Sequence, residues 1–343
     1  MSDLGLAYLN LGDREKSLRY YDMVVGSSPQ SSEAKEAMQG IREIYVSEGR
    51  VDDYFDYASR AGVESDLSAQ SRDSLSFVAA QNLYLADKPE AAARSLRDYV
   101  ENYPKGYYLT DALYYLSDCY LRTGARDEAI GTLTTLADRG QNRYTEQVLE
   151  KLSELTFADK RYDEAASAYR RLYDAATTRS GREAAMTGYV RATVAGGDGE
   201  RIAAMAADVA EHPDAGATAL RESKYAWAGQ LRAGGRKAEA VKLYKELASE
   251  VKARQGAEAA YYVIESLFEG GDLDATEKAV FAFSEREPDS YWLAKAFILL
   301  GDVYVRKGDN FQARATYQSV ADGYTPADDG IVDEAKARIA KLN

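Results

Sequence analysis

Apolar residues along this chain recur with the three- and four-residue spacing of one helix face, and short Gly-Asp turns interrupt them at regular intervals. The stretch Gly301–Val320 shows this pattern most clearly. Its key positions follow one another at gaps of three, four, five, four and three residues: Gly301, Tyr304, Gly308, Ala313, Tyr317 and Val320. The central Gly308-Asp309 pair is typical of a turn. The stretch therefore predicts a helix, a tight turn and a second helix folded back on the first.

The same spacing recurs along the whole chain. When Tyr317 is taken as an anchor, equivalent positions occur about every 37 residues. The nine anchors are Tyr21, Ala58, Leu96, Leu133, Tyr169, Ala206, Tyr244, Val280 and Tyr317. A period in this range is the mark of stacked helical units, so it predicts a solenoid.

Other positions of the unit support the repeat. Nine residues before the anchor, seven units have a glycine, which accepts the left-handed conformation that ends a helix: Gly12, Gly49, Gly124, Gly197, Gly235, Gly271 and Gly308. Asp87 and Lys160 are the two exceptions. Seventeen residues before the anchor, every unit has an apolar residue, which we expect to face the core: Leu4, Ile41, Ala79, Leu116, Leu152, Tyr189, Trp227, Val263 and Leu300.

Small residues stand four positions before most anchors, where two helices would have to approach closely. They are Ser17, Ala92, Ala129, Ala165, Ala240, Thr276 and Ala313. Tyr54 and Ile202 depart from this rule. The order of small residue, aromatic residue, glycine turn, alanine and aromatic residue resembles the tetratricopeptide repeat, although the period is about three residues longer than usual.

This resemblance implies an all-α fold, an α-solenoid in which antiparallel helix pairs form a right-handed superhelix. We expect residues 1–325 to form about nine helix-turn-helix repeats and residues 326–343 to contribute a C-terminal capping helix. Because Leu4–Leu9 already has the pattern of a helix interior, we also expect a fragment or a processed form of a longer protein.

Composition narrows the function. Lysine and arginine number 43 against 56 acidic residues, a formal net charge of −13. This charge argues against binding to nucleic acid or to an anionic membrane surface. No apolar run is long enough for a membrane span, so we expect no direct membrane insertion. The single Cys119 and single His212 leave little histidine- or thiol-based chemistry. We predict no catalytic residue, no metal, no cofactor and no small-molecule substrate.

In tetratricopeptide arrays, the positions fifteen and nineteen residues before the anchor line the concave groove. In this chain they are rich in carboxylates and tyrosines, and tyrosine offers a large amphipathic contact area. The resemblance therefore implies a groove for a protein or peptide of basic or mixed basic and apolar character. The predicted binding residues are Glu43, Tyr84, Tyr114, Asp118, Glu154, Tyr225, Tyr261, Glu265 and Asp302.

We therefore expect a non-catalytic protein–protein interaction scaffold. A general likeness to the arrays of bacterial outer-membrane assembly factors favours the periplasm or cell envelope over the cytoplasm. An alternative function is the helical superstructure of a larger enzyme whose catalytic domain lies outside this chain. A nucleic-acid-binding helical-repeat protein is a third alternative, which the acidic charge disfavours.

Overall fold

The fold was obtained as a computed structural model that describes residues 2–62, 68–325 and 328–342. In these residues all regular secondary structure is helical, so the predicted all-α solenoid class is confirmed. None of the described helices is both long enough and apolar enough to cross a membrane. Packing divides the chain into two compact units, residues 1–160 and residues 161–343.

The first unit contains nine helices in the residues that the structure describes. They are α1 Ser2–Asn10, α2 Arg14–Ser27, α3 Ser32–Ser47, α4 Val51–Arg60, α5 Ala69–Leu85, α6 Pro89–Asn102, α7 Leu109–Thr123, α8 Arg126–Asp138 and α9 Thr145–Ala158. Each helix packs on the next, and α1, α3, α5 and α7 also pack on one another in sequence order. The first helices of the pairs therefore form one layer and the second helices form another.

The second unit contains ten α-helices in the described residues. They are α10 Tyr162–Ala175, α11 Arg179–Gly196, α12 Gly199–Glu211, α13 Ala217–Ala233, α14 Lys237–Leu247, α15 Arg254–Glu269, α16 Leu273–Ser284, α17 Ser290–Arg306, α18 Asn310–Gly323 and α19 Ile331–Ala340. Buried Ile331 and Ala335 belong to the core that α19 forms with α17 and α18. The domain boundary at residues 325 and 326 and the count of nine repeats stay predictions, since residues 326 and 327 lie outside the described ones.

The turn within each pair adopts the left-handed conformation at all nine predicted positions. The seven glycines have φ between 72° and 82°, and the two exceptions follow them, with φ of 59° at Asp87 and 60° at Lys160. In seven of the nine turns the next residue donates its N–H to the carbonyl five residues earlier, as Ala125 does to Tyr120 at 2.9 Å. This bond closes the preceding helix and turns the chain back on itself.

The small-residue position is buried in every unit, including the two exceptions. Ser17, Tyr54 and Thr276 are fully buried, and Ile202 is nearly so. The apolar position seventeen residues before the anchor is buried or half-buried in eight units. The expectation is wrong for Leu4, which is 47% exposed. Among the described helices, α1 packs mainly on α2 and α3, and neither of them buries Leu4.

Glycines on the first helices admit the anchor rings. A Cβ added to Gly5 would lie 2.5 Å from the ring of Tyr21, and one added to Gly188 would lie 2.5 Å from Tyr169. Gly301 faces the ring of Tyr317 in the same way. Backbone and ring can approach this closely only where the helix has no side chain.

Replacement of Gly301 by alanine should lower the free energy of unfolding by roughly 1–3 kcal/mol, because the new methyl group overlaps the buried Tyr317 ring. Urea denaturation followed by circular dichroism measures this change. Gly229→Ala is the matched control: it lies inside α13 of the same unit and its added Cβ meets open space. That control should raise stability by about 0.5–1 kcal/mol. Equal effects of the two variants would contradict the close contact.

Candidate functional site

The predicted groove residues all lie on first helices of the pairs. In the first unit, Glu43 lies on α3, Tyr84 on α5, Tyr114 and Asp118 on α7, and Glu154 on α9. In the second unit, Tyr225 lies on α13, Tyr261 and Glu265 on α15, and Asp302 on α17. The two groups belong to different units.

Stacked aromatic rings connect neighbouring helices of the first unit. The ring of Tyr84 stacks on Tyr115 with centroids 4.6 Å apart, and Tyr114 stacks on Tyr144 at 4.0 Å. Phe77 adds a stacked contact to Tyr108 at 4.5 Å. Stacking of this kind contributes beyond the burial of surface and holds the rings in place. The half-buried phenol rings of Tyr84, Tyr114, Tyr115 and Tyr144 are therefore held in place on one face of this unit.

Asp118 is held by the neighbouring helix rather than free for a partner. The Tyr84 hydroxyl donates to its carboxylate at 3.0 Å, and the guanidinium of Arg122 lies 3.9 Å from the same oxygen. Burial, followed by the negative charge of Asp118, raises the pKa of Tyr84 to about 12. Tyr84 is therefore a neutral hydrogen-bond donor at physiological pH.

Asp111, Tyr115 and Tyr144 belong to the same face, although sequence reasoning missed them. The Tyr144 hydroxyl donates to Asp111 at 2.7 Å, and Arg143 forms an ion pair with the same carboxylate. Tyr144 stands directly before α9, outside the helical positions that the repeat assigns to the groove. The adjacent Tyr114-Tyr115 pair was the available signal, because two neighbouring residues on a helix cover a wider arc than one.

Glu43 and Glu154 differ from Asp118, the other predicted carboxylate of the first unit. Both are exposed, and neither makes a hydrogen bond or ion pair with another described residue. Their charge is therefore not compensated at short range. These two side chains can contact a partner without breaking an internal bond.

The second unit uses most of its predicted residues internally. Tyr225 donates to Glu258 at 2.5 Å, and Arg232 pairs with Glu265 at 2.8 Å. Tyr261 is only 6% exposed and its ring lies 5.2 Å from that of Trp292. Burial raises the pKa of the Tyr261 phenol well above its usual range. The Tyr261 ring therefore packs in the core of this unit and leaves little surface for a partner to contact.

The carboxylate of Asp302 contacts side chains of two other helices. It accepts a hydrogen bond from the buried Tyr317 at 2.6 Å and forms an ion pair with Arg338 of α19. Burial and the Asp302 carboxylate raise the pKa of Tyr317. This carboxylate therefore joins α17, α18 and α19, whatever else it does.

Residues considered for other chemistry have ordinary structural roles. Cys119 is fully buried, and burial raises the pKa of its thiol to about 11, which suppresses the reactive thiolate. His212 packs its ring edge-on against Tyr173. Across the described ranges, no three histidine, cysteine or acidic side chains converge in a way that could hold a metal ion.

Two segments of the chain match the family model of the tetratricopeptide repeat, residues 2–31 and 111–139. They correspond to the α1–α2 and α7–α8 pairs. No curated protein matches the chain significantly.

Several solved structures are similar to this chain. A tetratricopeptide repeat protein from Parabacteroides merdae is 14% identical, with 78% of this chain and 98% of that one covered and a TM-score of 0.33. A signal transduction ATPase with a tetratricopeptide repeat sensor, from Pyrococcus horikoshii, is 13% identical over 95% of this chain and 54% of that one, with a TM-score of 0.42. At these TM-scores nothing about the partner of this chain follows from either structure.

The Tyr84–Asp118 hydrogen bond should make the stability of the protein depend on pH in the alkaline range. Because the folded-state pKa of Tyr84 is raised to about 12, the bond contributes stability below the unfolded-state value of about 10. That contribution is lost as the pH rises through about 12. Phenolate absorbance, taken as the difference between the native protein and Tyr84→Phe, reports this titration. Asp118→Asn should lower the pKa of Tyr84, whereas Glu154→Gln should leave it unchanged; equal effects would contradict the assignment.

Replacement of Asp302 by alanine should lower the free energy of unfolding by about 1–3 kcal/mol, since it leaves the Tyr317 hydroxyl without its acceptor and the Arg338 guanidinium with only the longer bond to Glu334. Thermal and urea denaturation measure the loss. Glu211→Ala, an exposed carboxylate of the same unit, serves as the control and should change stability by less than about 0.5 kcal/mol. A loss in the control as large as that at Asp302 would argue for a general charge effect instead.

Proposed function

We propose that this chain, two segments of which match the family model of the tetratricopeptide repeat, is a non-catalytic scaffold that binds a segment of a partner protein along its first helices. Tetratricopeptide repeats generally mediate protein–protein interactions, and the repeat fold is typically a scaffold rather than a catalyst. The acidic net charge and the tyrosine-rich face indicate which kind of segment this chain would accept.

The observation that carries the proposal is that two of the predicted groove carboxylates, Glu43 on α3 and Glu154 on α9, are exposed. Neither has a hydrogen-bond or ion-pair partner among the described residues, and the rings of Tyr84 and Tyr114 lie on first helices of the same unit. A segment with lysine or arginine side chains would meet these carboxylates, and its apolar side chains would lie against the phenol rings. We therefore propose a partner segment of basic or mixed basic and apolar character.

The predicted binding residues of the second unit are less available to a partner than those of the first. Glu265 and Asp302 already hold Arg232 and Arg338, and Tyr261 is buried. A partner would have to displace these arginines to reach the carboxylates. The free energy lost with the internal ion pairs then offsets the free energy gained from the new ones. The first unit is therefore the preferred place for the partner segment.

A role in bacterial cell-envelope assembly is a further proposal. Its support is the general likeness of the repeat pattern to the arrays of outer-membrane assembly factors, and the charge of −13 is compatible with it. Cell fractionation with an antibody against the native protein tests the compartment. Recovery with the cytoplasmic fraction would contradict the proposal.

Charge reversal tests the binding face. The double variant Glu43→Lys and Glu154→Lys should weaken binding of the natural partner by about tenfold, since each reversal turns an attraction into a repulsion. Isothermal titration calorimetry gives the affinity, and the native complex should also weaken as sodium chloride is raised. The structural stability of the variant should be unchanged, because neither side chain has an internal partner.

The matched control reverses two exposed carboxylates on α6, a second helix of the same unit. Asp98→Lys with Glu101→Lys changes the net charge by the same amount and touches no predicted groove residue. It should retain most of the affinity. Equal weakening by both double variants would show a non-specific effect of net charge, and a complex that is insensitive to salt would contradict the electrostatic part of the proposal.

A further inference from the structure

A cavity of about 550 Å³ lies in the first unit between the second helices α2 and α4, above α3. Among the packing contacts of the described residues, α2 and α4 each pack on α3, which leaves a space between them. The residues around this α2–α4 cavity are Leu18, Arg19, Asp22, Val25, Gly26, Pro29, Ile41, Tyr45, Tyr57, Arg60 and Ala61. Its size falls within the range of about 300–1,000 Å³ that is usual for small-molecule sites.

The floor of the α2–α4 cavity is apolar. Val25 and Ile41 are buried core residues, and Leu18 and Pro29 border the same space. Water gains no hydrogen bond from such a floor, so contact with an apolar ligand is favourable. The cavity therefore suits a ligand with a hydrocarbon or aromatic body.

Two guanidinium groups border the same cavity. Arg19 is exposed and makes no hydrogen bond or ion pair with another described residue. Arg60 makes one hydrogen bond, from Nε to the backbone oxygen of Asp56 at 3.3 Å, and no ion pair with any residue that the structure describes. In a chain with a net charge of −13, two arginines without a carboxylate partner at one cavity are an unusual concentration of positive charge.

The carboxylate at the cavity is already engaged. Tyr57 donates its hydroxyl to Asp22 at 3.0 Å, and burial together with Asp22 raises the pKa of Tyr57, so the phenol stays neutral. The formal charge of Arg19, Arg60 and Asp22 together is +2 − 1 = +1. This charge is matched by a single negative charge on a ligand.

We propose that the α2–α4 cavity binds a small amphiphilic monocarboxylate, with its apolar body against Leu18 and Pro29 above the buried Val25 and Ile41, and its carboxylate against Arg19 and Arg60. Guanidinium groups recognise carboxylates through paired, charge-assisted hydrogen bonds. The apolar floor and the two arginines at the same cavity together distinguish this ligand from a neutral or a cationic amphiphile. The cavity is formed mainly by second helices, so this site goes beyond the proposed protein-binding face and does not depend on it.

Decanoate is the probe for this site, because it combines one carboxylate with an unbranched apolar chain. Isothermal titration calorimetry on the full chain should show saturable binding of decanoate at one site. Decyltrimethylammonium, with the opposite charge and the same chain, should not bind. Decyl phosphate, with a second negative charge, should bind more weakly than decanoate. A preference for the cation or for the phosphate would overturn the proposal.

Two kinds of variant locate the site. Arg19→Gln and Arg60→Gln should each weaken decanoate binding by about tenfold, because each removes a charged donor. Gly26→Leu should abolish binding, since Gly26 borders the cavity, its added Cβ meets nothing within 4 Å, and a leucine there fills the space. Gly26 lies in α2, so a residue with greater helix propensity is expected to preserve the fold.

Arg97→Gln is the matched control. Arg97 is exposed on α6 of the same unit and does not border the cavity, so its variant should bind decanoate as the native protein does. Thermal melting of each variant checks that the fold is intact. Unchanged decanoate binding in both Arg60→Gln and Gly26→Leu would overturn the proposal, and so would an equal loss in Arg97→Gln.

Discussion

The contact between a residue with little or no side chain on one helix and a ring on another fixes how closely the helices of this protein approach. Gly5 and Gly301 show it most directly, because an added Cβ at either position would enter the ring of Tyr21 or Tyr317. Close packing of this kind tolerates no added methyl group. The distance between α1 and α2 and the distance between α17 and α18 follow from this contact.

Tyrosine has two roles in this arrangement, and they compete. Its ring fills the space between helices, while its hydroxyl must find an acceptor when it is buried. Tyr84, Tyr225 and Tyr317 meet that need with the carboxylates of Asp118, Glu258 and Asp302. These tyrosines therefore form hydrogen bonds with acidic groups of the first helices, and those carboxylates are less available to a partner.

The fold could be predicted from the sequence because its determinants are local. The turn position follows from counting residues, and the left-handed conformation occurs there even at Asp87 and Lys160, where the side chain disfavours it. The candidate site could be predicted only in part. Spacing placed Asp302 on the correct helix, but its partner Arg338 is on α19, and no local pattern indicates that the two meet. Glu43 and Glu154 look the same as Asp302 in the sequence.

The isolation of Glu43 and Glu154 has a consequence for how such a protein can change over generations. Substitution at Asp302 would have to be matched by changes at Tyr317 and Arg338, because all three groups share one set of bonds. Substitution at Glu43 or Glu154 breaks no bond within the described chain. Ligand preference could therefore drift by single mutations at these two positions, while the helices that carry them keep their stability.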